Sequence, residues 1–417
     1  MVGKKSAGVV DLALPEDTAL ASLLSRSREV VAAHERVWGR QLRDAGVDVV
    51  HGRASFVGPH ELRVQTVKRQ RFSVQATSIV IATGSRPRTP PDVPVDHSVI
   101  LDSDSVLALP WLPRRMVVLG AGVIATEYAA IFACLGVDVV MVDKAPRPLG
   151  FLDGEIVGRF LSAFERADGR FLGGRGLRDV QQAFGAALVT LDDDVVLEAD
   201  KVLCCLGRVV NVEHLKLDAV GLTTDARGLL VVDDHQRTAV PHVLAVGDVI
   251  GPPSLASTSL EQGRRAGRVA CGQTLPSASA VVPVGVYAVP ELASVGLDEE
   301  EAARRGIDVV VGRAEFGDTA RGVIAASEGG LLKLVCSADQ RRVLGVQVIG
   351  EGAAELVHLG QLAMLGGLPP AVFVEQAFNF PTMAEAYRVA ARDIMARAKE
   401  RVPHAHPSLT AEAQLAV

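Results

Sequence analysis

The run Gly120-Ala121-Gly122-Val123-Ile124-Ala125 lies between two apolar stretches and has glycine at its first and third positions. Gly120 permits a tight turn, Gly122 lets the backbone approach a ligand closely, and Ala125 is small enough for close packing of a helix against a strand. The N-terminus of such a helix offers free N–H groups and a partial positive charge, which suit a pyrophosphate. The pattern therefore predicts dinucleotide binding.

An acidic residue stands where the adenosine ribose of that nucleotide is expected. Asp143 ends the next apolar run, about 20 residues further on, and can accept a hydrogen bond from a ribose 2′-hydroxyl. This acid favours NAD. The neighbouring Lys144 and Arg147 are either solvated loop charges or ligands for the 2′-phosphate of NADP, so both nucleotides stay open.

The elements that must position these residues follow from hydrophobic periodicity. A strand–helix–strand unit is predicted over Met116–Leu119, Ile124–Leu135 and Val137–Val142, an α/β arrangement. Further predictions are a helix over residues 15–47, strands over Asp48–His51, Ala54–Val57, Glu61–Thr66, Ser78–Ala82 and Val243–Val246, and an α+β region from about residue 278.

Length and composition narrow the classes of protein. The 417 residues suit two or three domains. The net charge is −6 with no basic block, which argues against nucleic acid or an anionic membrane as the main partner. The sequence has no secretory pattern and no apolar run of about 18 residues, so we expect a cytoplasmic protein. Five scattered cysteines indicate buried thiols and no metal site.

Three motifs around the nucleotide unit carry a family resemblance. They are Ala82-Thr83-Gly84, Leu206-Gly207-Arg208-Val209-Val210-Asn211 and Leu244-Ala245-Val246-Gly247-Asp248. In this order they resemble the pyridine nucleotide–disulfide oxidoreductases, and the run 287–296 resembles the start of that family's dimerisation domain. The resemblance spans nearly the whole chain. It implies FAD and a nicotinamide nucleotide as cofactors, and a homodimer.

Within the family, residues 377–391 resemble the transhydrogenase branch. Lipoamide dehydrogenases and glutathione reductases place a histidine before the Pro-Thr pair, as the acid/base partner of a redox thiol. Phe380 fills that position here and cannot move a proton, so a disulfide reductase is disfavoured. The resemblance implies hydride exchange between NADPH and NAD through FAD. His404 and His406 resemble the histidine motif of lipoamide dehydrogenases, but they come after the position that Phe380 fills. Two histidines alone are too few ligands for a metal site.

The resemblance also assigns roles to individual residues. Asp248 would bind the flavin ribityl chain, and residues 255–263 would open a helix towards the flavin. Glu127 would face the contact between nicotinamide and flavin, although an acid favoured by the helix dipole is an equal alternative. The other expected cofactor-binding residues of this set are Thr83, Gly84, Gly207 and Gly247.

One family motif is missing from the sequence. The family opens with a βαβ unit whose Gly-x-Gly-x-x-Gly turn binds the FAD pyrophosphate, and no such turn precedes residue 48. We therefore expect an N-terminally truncated chain that binds FAD weakly or not at all. The predicted divisions are an incomplete FAD domain (1–114 and 236–275), a Rossmann-type NAD(P) domain (115–235), an interface domain (276–400) and a loose tail (401–417). A dithiol–disulfide oxidoreductase and an inactive nucleotide-binding remnant stay open as alternatives.

Overall fold

Two compact units divide the part of the chain that the structure describes. A computed structural model describes residues 16–183, 185–327 and 329–401, so the tail with its histidines lies outside the described residues. The first unit runs to Phe151 and resumes over Leu161–Val284, whereas the second takes Leu152–Phe160 and the residues from Gly285 onward. The finer division into three domains stays a prediction.

In the described part of the first 284 residues, short strands alternate with four longer helices. The helices are α1 (Glu16–Asp44), α2 (Val123–Cys134), α3 (Gly154–Arg166) and α4 (Ala256–Ala270). The strands are β1 (Gly52–Gly58), β2 (Glu61–Thr66), β3 (Arg71–Gln75), β4 (Ile79–Ile81), β5 (Ser85–Pro87), β6 (Ile100–Asp102), β7 (Arg115–Leu119), β8 (Asp138–Asp143), β9 (Arg170–Gly173), β10 (Leu177–Ala183), β11 (Ala186–Leu191), β12 (Val196–Ala199), β13 (Lys201–Cys204), β14 (Arg208–Val210) and β15 (Val243–Ala245).

A parallel sheet carries the nucleotide-binding turn. Its order is β6-β13-β7-β8-β9, and each neighbouring pair is parallel. Parallel sheets are covered on both faces, which is why β7 and β8 read as almost unbroken apolar runs and are buried along most of their length. The predicted Rossmann-type strand–helix–strand unit is therefore confirmed, with boundaries that differ by a residue or two.

Smaller sheets complete the first unit. Strands β4 and β15 form a parallel pair, and β5 pairs antiparallel with β14. Strands β1 to β3 and β10 to β12 form antiparallel three-stranded sheets. The predicted strand Asp48–His51 is wrong, because these residues are irregular. Strand β3 was not predicted, although Phe72 and Val74 alternate with polar residues, and all five of its residues are exposed.

The second unit is an antiparallel sheet with helices, as predicted. Its sheet order is β16-β17-β20-β19-β18. The strands are β16 (Val284–Val286), β17 (Leu292–Gly296), β18 (Val309–Glu315), β19 (Leu331–Ser337) and β20 (Val343–Ile349), and the helices are α5 (Glu299–Arg304), α6 (Ala320–Ile324), α7 (Ala353–Leu365), α8 (Val372–Glu375) and α9 (Glu385–Arg401). On α7, Leu356 is buried while Leu362 and Leu365 are exposed, so this helix has apolar surface beyond what the core covers.

A buried ion cluster holds the start of α3 within the second unit. The Lys333 side chain is only 2% exposed, and its Nζ lies 2.6 Å from Asp153, 2.5 Å from Glu299 and 3.1 Å from Glu155. Arg313 lies 2.9 Å from both glutamates. Burial opposes ionisation, but hydrogen bonds to Asp153 and Glu299 outweigh it and raise the pKa of Lys333. Burial likewise opposes the charge on Glu155 and Glu299, yet their cationic partners lower both pKa values.

Removing the buried cation should destabilise the protein strongly. We expect Lys333→Met to cost about 3–5 kcal/mol of unfolding free energy, because the buried Asp153 then lacks a counter-charge and Glu155 and Glu299 keep only Arg313. The measurement is urea unfolding followed by far-ultraviolet circular dichroism. Arg341→Met is the control, because its pair with Asp339 is largely exposed, and we expect it to cost less than about 1 kcal/mol.

The pH dependence of that loss has a definite sign. A carboxylate with a lowered folded-state pKa contributes stability above its unfolded pKa and loses it as pH falls through the folded value. The difference in unfolding free energy between wild type and Lys333→Met should therefore become smaller below about pH 4. A gap that is small at neutral pH, or that widens in acid, would contradict this account of the cluster.

Candidate cofactor sites

The glycine turn has the geometry that a bound dinucleotide requires. Gly120 has a φ of +107°, and a β-carbon there would lie 2.6 Å from the backbone oxygen of Cys205. Its N–H donates to the Val142 carbonyl at 2.8 Å, which joins the turn to the end of β8. Gly122 is the residue before α2, and a β-carbon there would meet open space. The backbone at the helix start can thus be approached closely, so these residues fit a pyrophosphate.

Two further residues of α2 were singled out in the sequence. Ala125 is fully buried, in keeping with the predicted close packing of the helix on the sheet. Glu127 is the fifth residue of α2, because the helix begins at Val123. The helix dipole acts mainly within the first turn, so it does little to explain an acid at this place.

Asp143 lies at the carboxyl end of β8, beside the glycine turn. Its Oδ1 accepts a hydrogen bond of 2.7 Å from the N–H of Ala145, which orients the carboxylate. Because Leu119 of β7 is in register with Val142, the acid and the turn lie at the same edge of the parallel sheet. This is the placement that the predicted role in ribose binding requires.

The loop after β8 holds the two basic residues whose roles the sequence left open. Lys144 is exposed, and Arg147 donates to the carbonyl of Gly150 at 3.4 Å. The segment after β9 runs alongside this loop: the N–H of Arg175 donates to the Asp143 carbonyl and that of Gly174 to the Ala145 carbonyl, each at 3.1 Å.

The residues expected to contact flavin gather around β4, β5, β14 and β15. The N–H of Asn211 donates to the Gly84 carbonyl at 2.9 Å, and its side-chain Nδ2 donates to the Thr83 carbonyl at 3.0 Å. The Gly207 carbonyl accepts from the N–H of Arg88 at 3.0 Å. Since β4 and β15 are parallel neighbours, Thr83-Gly84 and Gly247-Asp248 follow the same ends of adjacent strands.

Asp248 is held by partners that sequence reasoning missed. Ser85 Oγ donates to Asp248 Oδ2, and Arg208 Nε donates to Ser85 Oγ at 2.7 Å. The N–H of Gly247 donates to Gln262 Oε1 at 2.8 Å, which ties this turn to α4. Arg208 lies inside one of the family motifs and Ser85 directly follows another, but only the pairing of β5 with β14 brings them together.

Phe380 belongs to the second unit, unlike the other candidate site residues. Its side chain is 67% exposed, and its N–H donates to Asn379 Oδ1 at 3.1 Å. Thr382 Oγ1 donates to the carbonyl of Asn379 at 2.8 Å, which closes the same turn. The position thus presents an aromatic ring, without an acid or base, at the protein surface.

The five cysteines are free thiols: Cys204 and Cys336 are buried, Cys134 and Cys205 are half-buried, and Cys271 is exposed, so the prediction of buried thiols is wrong for Cys271. Burial raises the pKa of Cys205 to about 12 and that of Cys336 to about 12. Burial also raises the pKa of Cys134 and Cys204. Because the thiolate is the reactive form, these residues are poor nucleophiles near neutral pH.

Comparison with known proteins places the chain in a family. Residues 11–263 match the pyridine nucleotide-disulphide oxidoreductases, and residues 282–391 match the dimerisation domain of the same family. The chain therefore belongs to the pyridine nucleotide-disulphide oxidoreductase family of FAD- and NAD(P)-dependent enzymes. The second match supports the predicted homodimer.

The chain is similar to particular members of that family. It is 39% identical over 376 residues to the soluble pyridine nucleotide transhydrogenase of Mycobacterium bovis BCG, covering 90% of this chain and 80% of the relative. It is also 39% identical over 387 residues to the protein of that name from Marinobacter nauticus, covering 91% and 83%.

Solved structures show the same fold. LpdA from Mycobacterium tuberculosis superposes with a TM-score of 0.86 at 24% identity, over 93% of this chain and 85% of the other. The HOCl-induced flavoprotein disulfide reductase RclA from Escherichia coli superposes with a TM-score of 0.83 at 24% identity, over 91% and 90%.

In the part of the chain that the structure describes, every helix is too short or too polar to cross a membrane.

The role assigned to Asp143 can be tested with two nucleotides. We expect Asp143→Ala to weaken NADH more than NADPH, because only NADH loses a hydroxyl-to-carboxylate hydrogen bond of about 1.5–3 kcal/mol. Nucleotide fluorescence titrations give both dissociation constants. Asp138→Ala, at the opposite end of β8, is the matched control. Equal losses for the two nucleotides would remove Asp143 from the ribose site.

Proposed function

We propose that this protein transfers hydride between NADPH and NAD, with FAD as the intermediate carrier. The observation that carries the proposal is the 39% identity, over about nine-tenths of the chain, with proteins named soluble pyridine nucleotide transhydrogenase. A bound flavin supplies the chemistry, because it can accept a hydride from one nicotinamide and return it to another.

The residues of the chain contribute binding and orientation to this reaction. The N–H groups at the start of α2 hold the nicotinamide nucleotide by its pyrophosphate, with Gly122 leaving room for it. Asp143 accepts the ribose hydroxyl. Asp248, oriented by Ser85, would hold a hydroxyl of the flavin side chain, together with the Thr83-Gly84 turn. Hydride exchange needs no acid at Phe380, which is consistent with an aromatic ring there.

A dithiol–disulfide reaction is the second candidate. It would need a reactive thiol and an acid/base group, whereas the buried cysteines have raised pKa values and Phe380 cannot exchange a proton. Assays of the purified protein with FAD added separate the candidates. NADPH-dependent reduction of thio-NAD supports the proposal, and NADPH- or NADH-dependent reduction of lipoamide or glutathione disulfide without it would favour the alternative. Nucleotide binding without either reaction would identify an inactive remnant.

Two glycine substitutions, one expected to disrupt the site and one expected to be neutral, serve as test and control in that assay. Gly120→Val should abolish nucleotide binding and transhydrogenation, because φ is +107° and backbone atoms crowd the added side chain. Gly150→Ala should leave nucleotide binding and transhydrogenation unchanged, because an added β-carbon there would meet open space and the φ of Gly150 is not positive. The cytoplasmic location belongs to the same proposal and can be followed by cell fractionation.

The 417-residue chain should bind FAD weakly or not at all. The ribityl side of the site is retained at Thr83, Gly84 and Asp248, but the sequence before residue 48 has no glycine turn for the FAD pyrophosphate. Leaving two buried phosphate charges without partners costs several kcal/mol, and each 1.4 kcal/mol is about a tenfold loss of affinity. Absorbance at the flavin bands after removal of free FAD measures this. A stoichiometrically yellow protein with transhydrogenase activity would show the prediction to be wrong.

A further inference from the structure

The backbone of a basic residue that follows the neighbouring strand β9 lies beside the predicted ribose acid. Gly173, the last residue of β9, is in register with Asp143. Two residues later, the N–H of Arg175 donates to the Asp143 carbonyl at 3.1 Å. Arg175 and Asp143 are therefore neighbours at the edge of the sheet, although they are far apart in the sequence.

Lys144 reaches the same place from the other loop. A β-carbon built on Gly176 would lie 3.0 Å from Lys144 Cε and 2.6 Å from Asp192 Oδ2. The absence of a side chain at Gly176 thus lets the lysine stem lie across the segment that follows Arg175. Arg175 and Lys144 thus come from the two loops that follow β8 and β9, and the backbone of both loops lies next to Asp143.

The acidic residues around Arg175 leave some N–H groups of its guanidinium able to bind a ligand. Arg175 Nη1 forms an ion pair with Asp193 at 3.2 Å, and Asp192 accepts a hydrogen bond from the N–H of Gly176 at 2.8 Å. The Arg175 side chain is 37% exposed, and a guanidinium has five N–H donors in a planar fork. One carboxylate contact therefore still permits a second, forked contact, which is the geometry that suits a phosphate.

We propose that Arg175, assisted by Lys144, is the specificity-determining residue that admits the 2′-phosphate of NADP(H) beside Asp143. This inference rests on the proposed function, since a chain that exchanges hydride between NADPH and NAD must bind both nucleotides. Asp143 accepts the 2′-hydroxyl of NAD(H) but repels a phosphate of about two negative charges. Arg175 and Lys144 offset that repulsion, so one ribose site serves both nucleotides.

Nucleotide titration of single variants tests the assignment without any dependence on flavin. Arg175→Ala should weaken the binding of NADPH about tenfold or more and that of NADH less than about twofold, because only NADPH loses a charge-assisted contact. Arg175→Lys should fall between wild type and Arg175→Ala for NADPH, because it keeps the charge and loses the fork. Lys144→Ala should also weaken NADPH selectively, by less than Arg175→Ala.

Arg178→Ala is the control, because Arg178 is an exposed arginine three residues further on that pairs with Asp194. It removes the same charge and should leave both affinities unchanged. The affinity lost by Arg175→Ala should also shrink as salt rises, as expected for a contact between exposed charges.

The outcomes separate this inference from the proposed function. If wild type exchanges hydride and Arg175→Ala weakens both nucleotides equally or neither, the assignment of Arg175 is overturned and the proposed function stands. If Arg175→Ala loses NADPH selectively while wild type exchanges no hydride, the assignment stands and the proposed function fails. Wild type that binds NADH but not NADPH would overturn both.

Discussion

The close approach of Gly120 to the carbonyl oxygen of Cys205 governs the nucleotide side of the first unit. No side chain fits at this crossing, and the positive φ allows β7 to turn directly into α2. The N–H of Gly120 also holds the Val142 carbonyl, so the ends of β7, β8 and β13 stay aligned. The start of α2 and Asp143 consequently lie at one edge of a parallel sheet, where ligands bind in open α/β folds.

Charge is used in two physically different ways in this protein. Lys333 is almost fully buried and surrounded by carboxylates, so its charge is neutralised inside the fold and serves to hold α3. Arg175 is partly exposed and has one carboxylate partner, Asp193, so in the assignment proposed above its charge is available to a ligand. Burial and the number of opposite charges decide between these two uses, because both side chains carry the same formal charge.

An aromatic ring stands at the position where the disulfide reductases of the family have a histidine, as the resemblance implies. Phe380 is an exposed ring in a turn closed by Asn379 and Thr382, and burial raises the pKa of Cys205 and Cys336. Such a chain suits a reaction in which the cofactors carry the hydride and the protein orients them. The loop at Phe380 and the site around Asp248 are thus consistent with the same chemistry.

Local sequence determined the parts of this protein that depend on periodicity and on backbone freedom. The apolar runs of β7 and β8, the glycine turn between them and the acid at Asp143 could be predicted because each is a property of a few consecutive residues. Only the tertiary structure decided which charges meet. Ser85 pairs with Asp248 across 163 residues and Asp153 with Lys333 across 180. The pairing of β8 with β9 likewise brings the backbone of Arg175 next to that of Asp143. Such contacts depend on strand order and register, which long-range packing selects and which no short pattern of residues contains.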